Sequence, residues 1–230
     1  MPDSADTRPP ETPEGLRPAD ENPWYILMTL YGEQEEEEID WELHERNRRF
    51  WNAWSGQALN AEEREAAAKS SKIDVAELEA WEDRSEEIKA RFATEYQRRN
   101  PGGGTVPDLP DPKVPIAMSS TYFAKPVVLQ QAVFASSADF NLARFTQDAR
   151  FGSATFTQRA DFEMVTFMQG ASFIDATFTH GADFHVAAFR QRAIFIGASF
   201  ARYAKFTRAM FALRAMFRAA RFMQDAWFSS

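Results

Sequence analysis

From residue 134 to residue 228 phenylalanine recurs in alternating steps of six and five: 134, 140, 145, 151, 156, 162, 167, 173, 178, 184, 189, 195, 200, 206, 211, 217, 222 and 228. Alanine stands two residues before each of these, except before Phe167, where Val165 takes its place. Leu129, Phe123 and Met118 carry the same phase backwards, so the repeat begins near residue 118. A helix turns about 100° per residue, so a six-residue step would rotate the ring by about 240° and leave no apolar stripe. In a very short strand, alanine and phenylalanine share one face and the residue between them takes the other. Those middle positions are mostly polar, as with Asp139, Arg144, Arg150, Thr155, Asp161, Lys205 and Arg221.

A five-residue unit cannot bury its own apolar face, so successive units must wind into coils that share one core. Four units make 22 residues, and residues 118–230 therefore hold about five coils at about 4.8 Å each, a rod of roughly 25 Å. The tandem A-x-F-x-x pattern resembles the pentapeptide repeat family, in a variant that alternates five- and six-residue units. The resemblance covers about half the chain. It implies a right-handed quadrilateral β-helix with phenylalanine and the preceding alanine pointing inward. The sixth residue is expected at corners as a wider turn, at Ser137, Arg159, Gly181, Tyr203 and Asp225 and at Asp148, Gly170, Arg192 and Arg214.

Upstream, residues 1–21 are acidic and proline-rich and read as a disordered tail. Residues 22–99 read as a mostly α-helical domain. Within it, residues 22–32 look extended, rich in aromatic residues and closed by Gly32. A helix follows through Ile39, Leu43, Phe50 and Trp54, with Glu35 to Glu38 at its solvated N-terminus. A further helix starts at Asn60 as N-cap, and another at Asp74, whose Glu77 three residues on makes a capping signature, running to about Arg99. Trp51, Trp54 and Trp81 are expected in the core. Residues 100–117 form a proline- and glycine-rich linker and a domain boundary. The fold class is thus mainly β, a quadrilateral β-helix preceded by a small helical domain and a disordered tail.

The chain has no cysteine, which excludes disulfides, thiolate metal sites and cysteine nucleophiles. No nucleophile and base, phosphate loop or metal-ligand spacing stands out. No enzyme, cofactor, catalytic or metal site is expected. Asp139, Asp161 and Asp183 should stack 22 residues apart, as ordinary outward positions, and His180 and His185 read as surface polarity. Residues 1–120 carry a net −13 and residues 121–230 a net +5. Basic residues crowd the C-terminal end of the rod: Arg190, Arg192, Arg202, Lys205, Arg208, Arg214, Arg218 and Arg221 are the candidate binding surface. Trp227 and Phe228 are the candidate dimer or capping edge.

The expected function is a non-enzymatic interaction scaffold for a protein partner or a membrane-associated assembly. A homodimer through the C-terminal end and an anionic membrane surface are further candidate contacts, and nucleic acid is disfavoured. The expected setting is the bacterial cytoplasm. Some family members imitate DNA and inhibit gyrase, which gives an alternative reading, although the repeat's net +5 suits that subgroup poorly. A third reading is the N-terminal portion of a longer, membrane-anchored repeat protein.

Overall fold

The computed structural model describes residues 12–36, 38–102 and 104–229. Residues 116–229 wind into about five coils whose two- and three-residue strands stack as four parallel sheets, the sides of a square rod. Side 1 runs from Ile116–Ala117 through Ala138–Asp139 to Ala226–Trp227, and side 2 from Thr121–Phe123 to Met210–Phe211. Side 3 runs from Val127–Val128 to Ala215–Met216, and side 4 from Val133–Phe134 to Arg221–Phe222. Every pairing within the rod has a 22-residue register, for example Asp139 with Asp161 and Asp161 with Asp183.

The inward assignment holds ring by ring. Each phenylalanine of the series from Phe134 to Phe200 is at most 1% exposed. Phe151, Phe173 and Phe195 form one column, with neighbouring rings 5.0 and 4.9 Å apart and 2° from coplanar. Rings from adjacent sides meet edge-on, as Phe162 and Phe173 do at 5.5 Å. Burying each ring is worth about 1.5–3 kcal/mol, and each such aromatic pair adds about 0.5–1.5 kcal/mol. Alanine two residues earlier leaves the interior volume to the ring.

The five-residue units turn through a left-handed residue, so positive φ recurs every 11 positions. Ser120, Leu142, Met164, Val186 and Arg208 occupy the corner between sides 1 and 2; Gln131, Ser153, Asp175, Gly197 and Ala219 occupy that between sides 3 and 4. Gly197 is the one glycine of the two columns, and there the conformation carries no Cβ penalty. The six-residue units do two different things. At Asp148, Gly170, Arg192 and Arg214 the extra residue precedes the strand, as a wider turn would have it. At Arg159, Gly181 and Tyr203 it joins the strand instead and pairs in register, extending side 1 by one rung position.

The N-terminal region departs from several expectations. Residues 22–32 are not extended: Pro23–Met28 form helix α1, capped by the Asn22 side chain, which accepts from Trp24 N–H, with proline at the first helical position. Its apolar run serves burial on all sides, Ile26 and Leu27 being fully buried. Helix α2 spans Trp41–Ser55 with Asp40 as N-cap, so Glu35, Glu36 and Glu38 lie in the loop before it; Glu37 is outside the described residues. Helix α3, Ala61–Ser71, has the expected Asn60 cap, completed by Glu63 into a capping box. The helix expected from Asp74 to Arg99 is two, α4 (Ala76–Glu79) and α5 (Trp81–Arg99), because Ala80 leaves helical geometry at ψ 12°.

The tail expected over residues 1–21 is corrected where it can be seen. Residues 1–11 lie outside the described residues, but Arg17–Pro18 pair in parallel with Thr121–Tyr122, and Ala19–Glu21 form a 3-10 turn. The boundary drawn through residues 100–117 separates no independent core: one apolar cluster runs from Trp24 and Trp51 through Phe123 and Phe134 into the rod. Linker groups join it, Trp54 donating its indole N–H to the Pro110 carbonyl at 2.9 Å.

Candidate functional site

The first coil of a solenoid has backbone groups that point away from the rod with no earlier coil to receive them. Here the N-terminal region stands in for that coil. On side 2 the segment Arg17–Pro18 supplies a short strand. On side 4, α2 supplies side chains: Asn52 Oδ1 accepts from Val133 N–H at 2.9 Å, and Ser55 Oγ accepts from Ala135 N–H at 3.2 Å. The Val133 carbonyl accepts from Trp51 Nε1 at 2.9 Å and from Ser55 Oγ at 2.7 Å. Tyr25 packs edge-on against Phe123 at 5.3 Å, and Trp51 packs against Phe134 at 5.6 Å. Helix α3 then lies along side 4, where Ser71 Oγ bonds Thr155 Oγ1 at 2.7 Å. Sequence reasoning missed these roles; the usable signal was Asn52 and Ser55, two polar residues inside the aromatic run Phe50–Trp54 and its end, both fully buried.

The cap is itself locked. Arg99, at the end of α5, donates to the Thr29 hydroxyl at 2.8 Å and to its carbonyl at 2.7 Å, with Glu95 as counter-ion. Some of the charge asymmetry between the two halves is spent in this contact. Lys125 of the rod bonds Glu33 and Glu35 at 3.1 and 2.8 Å, and Lys72 of the cap bonds Asp175 at 2.7 Å. Trp51 and Trp54 are buried as expected, and Trp81 is partly buried against the same core.

Asp139, Asp161 and Asp183 do stack, but their oxygens are engaged. Each accepts from the backbone N–H two residues on, at Asn141, Glu163 and His185. Arg159 bonds Asp161 at 2.7 Å and lies 3.7 Å from Asp183, which Lys205 approaches at 3.5 Å. Burial pushes the Asp161 carboxyl above its usual range. Among the described residues no group of three or more metal-ligating side chains converges. His185 Nδ1 lies 2.9 Å from the Thr207 carbonyl, while His180 lines a cleft between α3 and side 4.

The eight basic residues of the C-terminal end do not converge either. Arg192 and Arg214 share a column before side 3; Lys205 lies on side 1, Arg208 at the corner between sides 1 and 2, and Arg221 on side 4. Arg190, Arg202 and Arg218 occupy the remaining turns. All but Lys205 are exposed. Trp227 and Phe228 are 46% and 55% exposed on the last described coil.

One concave feature of the rod is a groove of about 630 Å³ on side 3. Arg150, Ser172 and Ile194, outward residues of successive strands, form its floor. Asp148, Gly170 and Arg192 form one edge, and Gln130, Gly152 and Ile174 the other. Asp148 accepts from Gly170 N–H at 3.0 Å and from Arg150 at 3.2 Å, which fixes the polar end. Ile174, Ile194 and Leu213 make the other end apolar. Its size falls within the range of about 300–1,000 Å³ common for binding pockets. No helix among the described residues is long and apolar enough to cross a membrane.

Comparison with curated proteins and with solved structures finds no match. A family model described as pentapeptide repeats (9 copies) matches residues 119–163 and 143–188. The matched residues fall within the stretch in which the phenylalanine columns, the 22-residue register and the 11-residue left-handed corners have just been traced, and over residues 119–188 this chain carries the repeats of the pentapeptide repeat family.

Proposed function

We propose that this protein is a non-enzymatic scaffold that binds a protein partner, or a membrane-associated assembly, along its solenoid. The observation that carries the reading is the side 3 groove, mixed in polarity and spanning several coils, which α3 leaves free on the neighbouring side. A rigid ladder of outward side chains suits recognition of a polypeptide surface, because little side-chain or backbone ordering remains to oppose binding. The basic C-terminal end supplies a positive field that would speed the approach of an acidic partner or an anionic membrane surface. An end-to-end dimer would bring two such ends together, and salt would have to screen them.

A photo-reactive residue in place of Ile194, with the full chain expressed in its host, tests this. The expected result is one cross-linked protein species that disappears when Ser172→Trp fills the groove. No adduct, or adducts indifferent to Ser172→Trp, would count against the groove. Inhibition of purified gyrase in a supercoiling assay would instead favour the DNA-mimic reading, which the net +5 of residues 121–230 disfavours.

A further inference from the structure

The side 3 groove changes character along the rod. In its early coils the charges cancel: Arg150 bonds Asp148 at 3.2 Å, and Asp175, at the corner beside them, bonds Lys72 at 2.7 Å. Its middle is lined by the small residues Gly152, Gly170 and Ser172. Towards the C-terminal coils nothing balances the charge. Arg192 lines one edge and Arg214 follows it in the same column, both exposed and without an ion pair among the described residues. The sequence holds no aspartate or glutamate from residue 184 to residue 224. The other edge is apolar over the same coils: Ile174 is 39% exposed and Ile196 follows it 22 residues on, before Arg218 ends the column. Ile194 lies on the floor between the two edges.

From Gln130 on the first coil to Leu213 on the last, the groove spans four coil rises. That is about 19 Å, the length of an extended segment of about six residues. Successive side chains of an extended chain point to opposite sides. A segment lying over Ser172 and Ile194 therefore sends alternate side chains to the Arg192 edge and the intervening ones to the Ile174 edge. Carboxylates complement the first edge and aliphatic groups the second. Because the groove is concave, a single chain can reach its floor where a flat anionic surface cannot.

We propose that the groove takes an extended polypeptide segment of a protein partner in which acidic residues alternate with aliphatic ones. The acids pair with Arg192 and Arg214, and the aliphatic side chains pack on Ile174 and Ile196. This rests on the scaffold reading and gives the chemistry of its partner.

A random peptide library displayed on phage, panned on the full chain and counter-selected on the Ser172→Trp variant, tests it. The enriched sequences should alternate Asp or Glu with Ile, Leu or Val over about six residues. A labelled synthetic copy of the leading sequence should lose at least about tenfold in affinity with Arg192→Glu, and added salt should weaken it. A copy with lysine for each acid should prefer the Arg192→Glu variant to the parent. Arg192 is exposed, so the reversal should leave the melting temperature unchanged. Enriched sequences that lack acids or do not alternate, or an affinity indifferent to Arg192→Glu, would overturn the proposal, while a partner cross-linked through position 194 would still support the scaffold reading. An empty selection would overturn it too, as would co-sedimentation with phosphatidylserine vesicles that Arg192→Glu abolishes, which would assign the arginines to a membrane.

Discussion

The indole N–H of Trp51 and the hydroxyl of Ser55, one turn apart on α2, both donate to the carbonyl of Val133, at 2.9 and 2.7 Å. A helix thereby satisfies a strand that has no preceding coil. Because the two donors share one acceptor, losing either leaves the carbonyl bonded. Trp51→Phe or Ser55→Ala alone should cost about 1–2 kcal/mol. The double variant strands a buried carbonyl and should cost more than the sum. A double-mutant cycle by denaturant unfolding measures the excess; strict additivity would contradict the shared role.

Gly56 ends α2 with its backbone against α4, and a Cβ built there would stand 2.0 Å from the Leu78 carbonyl oxygen. Gly56→Ala should therefore destabilise by up to about 3 kcal/mol, since backbone cannot yield as a side chain can. Gly152→Ala is the control: its Cβ would meet only the end of the Gln130 side chain, at 3.2 Å, and should change little. Thermal unfolding of both variants checks the contrast.

Phe178 is fully buried, stacked between Phe156 and Phe200 at 4.9 Å on each side. Phe178→Asp puts an unpaired charge there and should be severely destabilising. Asp183→Asn reads from the sequence as nearly neutral, an outward position on a strand. The structure makes it 6% exposed, bonded to His185 N–H and close to Lys205 and Arg159. A loss of about 1 kcal/mol is expected instead, while Asp139→Asn, free of ion pairs among the described residues, should lose less. Melting temperatures ranked Phe178→Asp, Asp183→Asn, Asp139→Asn from lowest to highest would bear this out.

The rod was legible because its physics is local and repeated: each phenylalanine marks one side, each alanine its spacing, and five coils repeat the statement. The cap was not, since its meaning lies in partners about 80 residues away. Nothing near Asn52 indicates that Val133 N–H is its donor. The aromatic run after Asn22 has strand composition, and only the Asn22–Pro23 start betrayed α1. The groove was hidden for a similar reason, as it is formed by residues 22 apart whose small members, Gly152 and Gly170, look unremarkable in the chain.

His44 is 5% exposed on α2, edge-on to Trp41 at 5.9 Å, and neither ring nitrogen has a hydrogen-bond partner. Arg48 and Glu45 are its charged neighbours, and the Val128 and Gln130 carbonyls face it from the rod. Burial, and then the Arg48 charge, lower its pKa from 6.5 to about 4. The unfolded chain thus binds a proton near pH 6.5 that the folded chain refuses until about 4. Stability should fall by about 3 kcal/mol as pH drops through that window, with no further loss from this group below it. His44→Leu should remove that component of the slope between pH 6.5 and 4; denaturant midpoints across this range that keep the parental slope would argue against the assignment.

The central claim is that the helices and the solenoid are one folded unit, with the N-terminal region acting as the missing first coil. Thermal unfolding followed by two probes tests it most directly: tryptophan fluorescence of a Trp227→Phe variant, which then reports from residues 24–81, and backbone amide exchange along residues 116–229. The account predicts one coincident transition for both probes, and its downward shift in both when Asn52→Ala and Ser55→Ala remove the surrogate rung. Separate transitions, with the rod unfolding at the same temperature whether or not α2 carries Asn52 and Ser55, would contradict it.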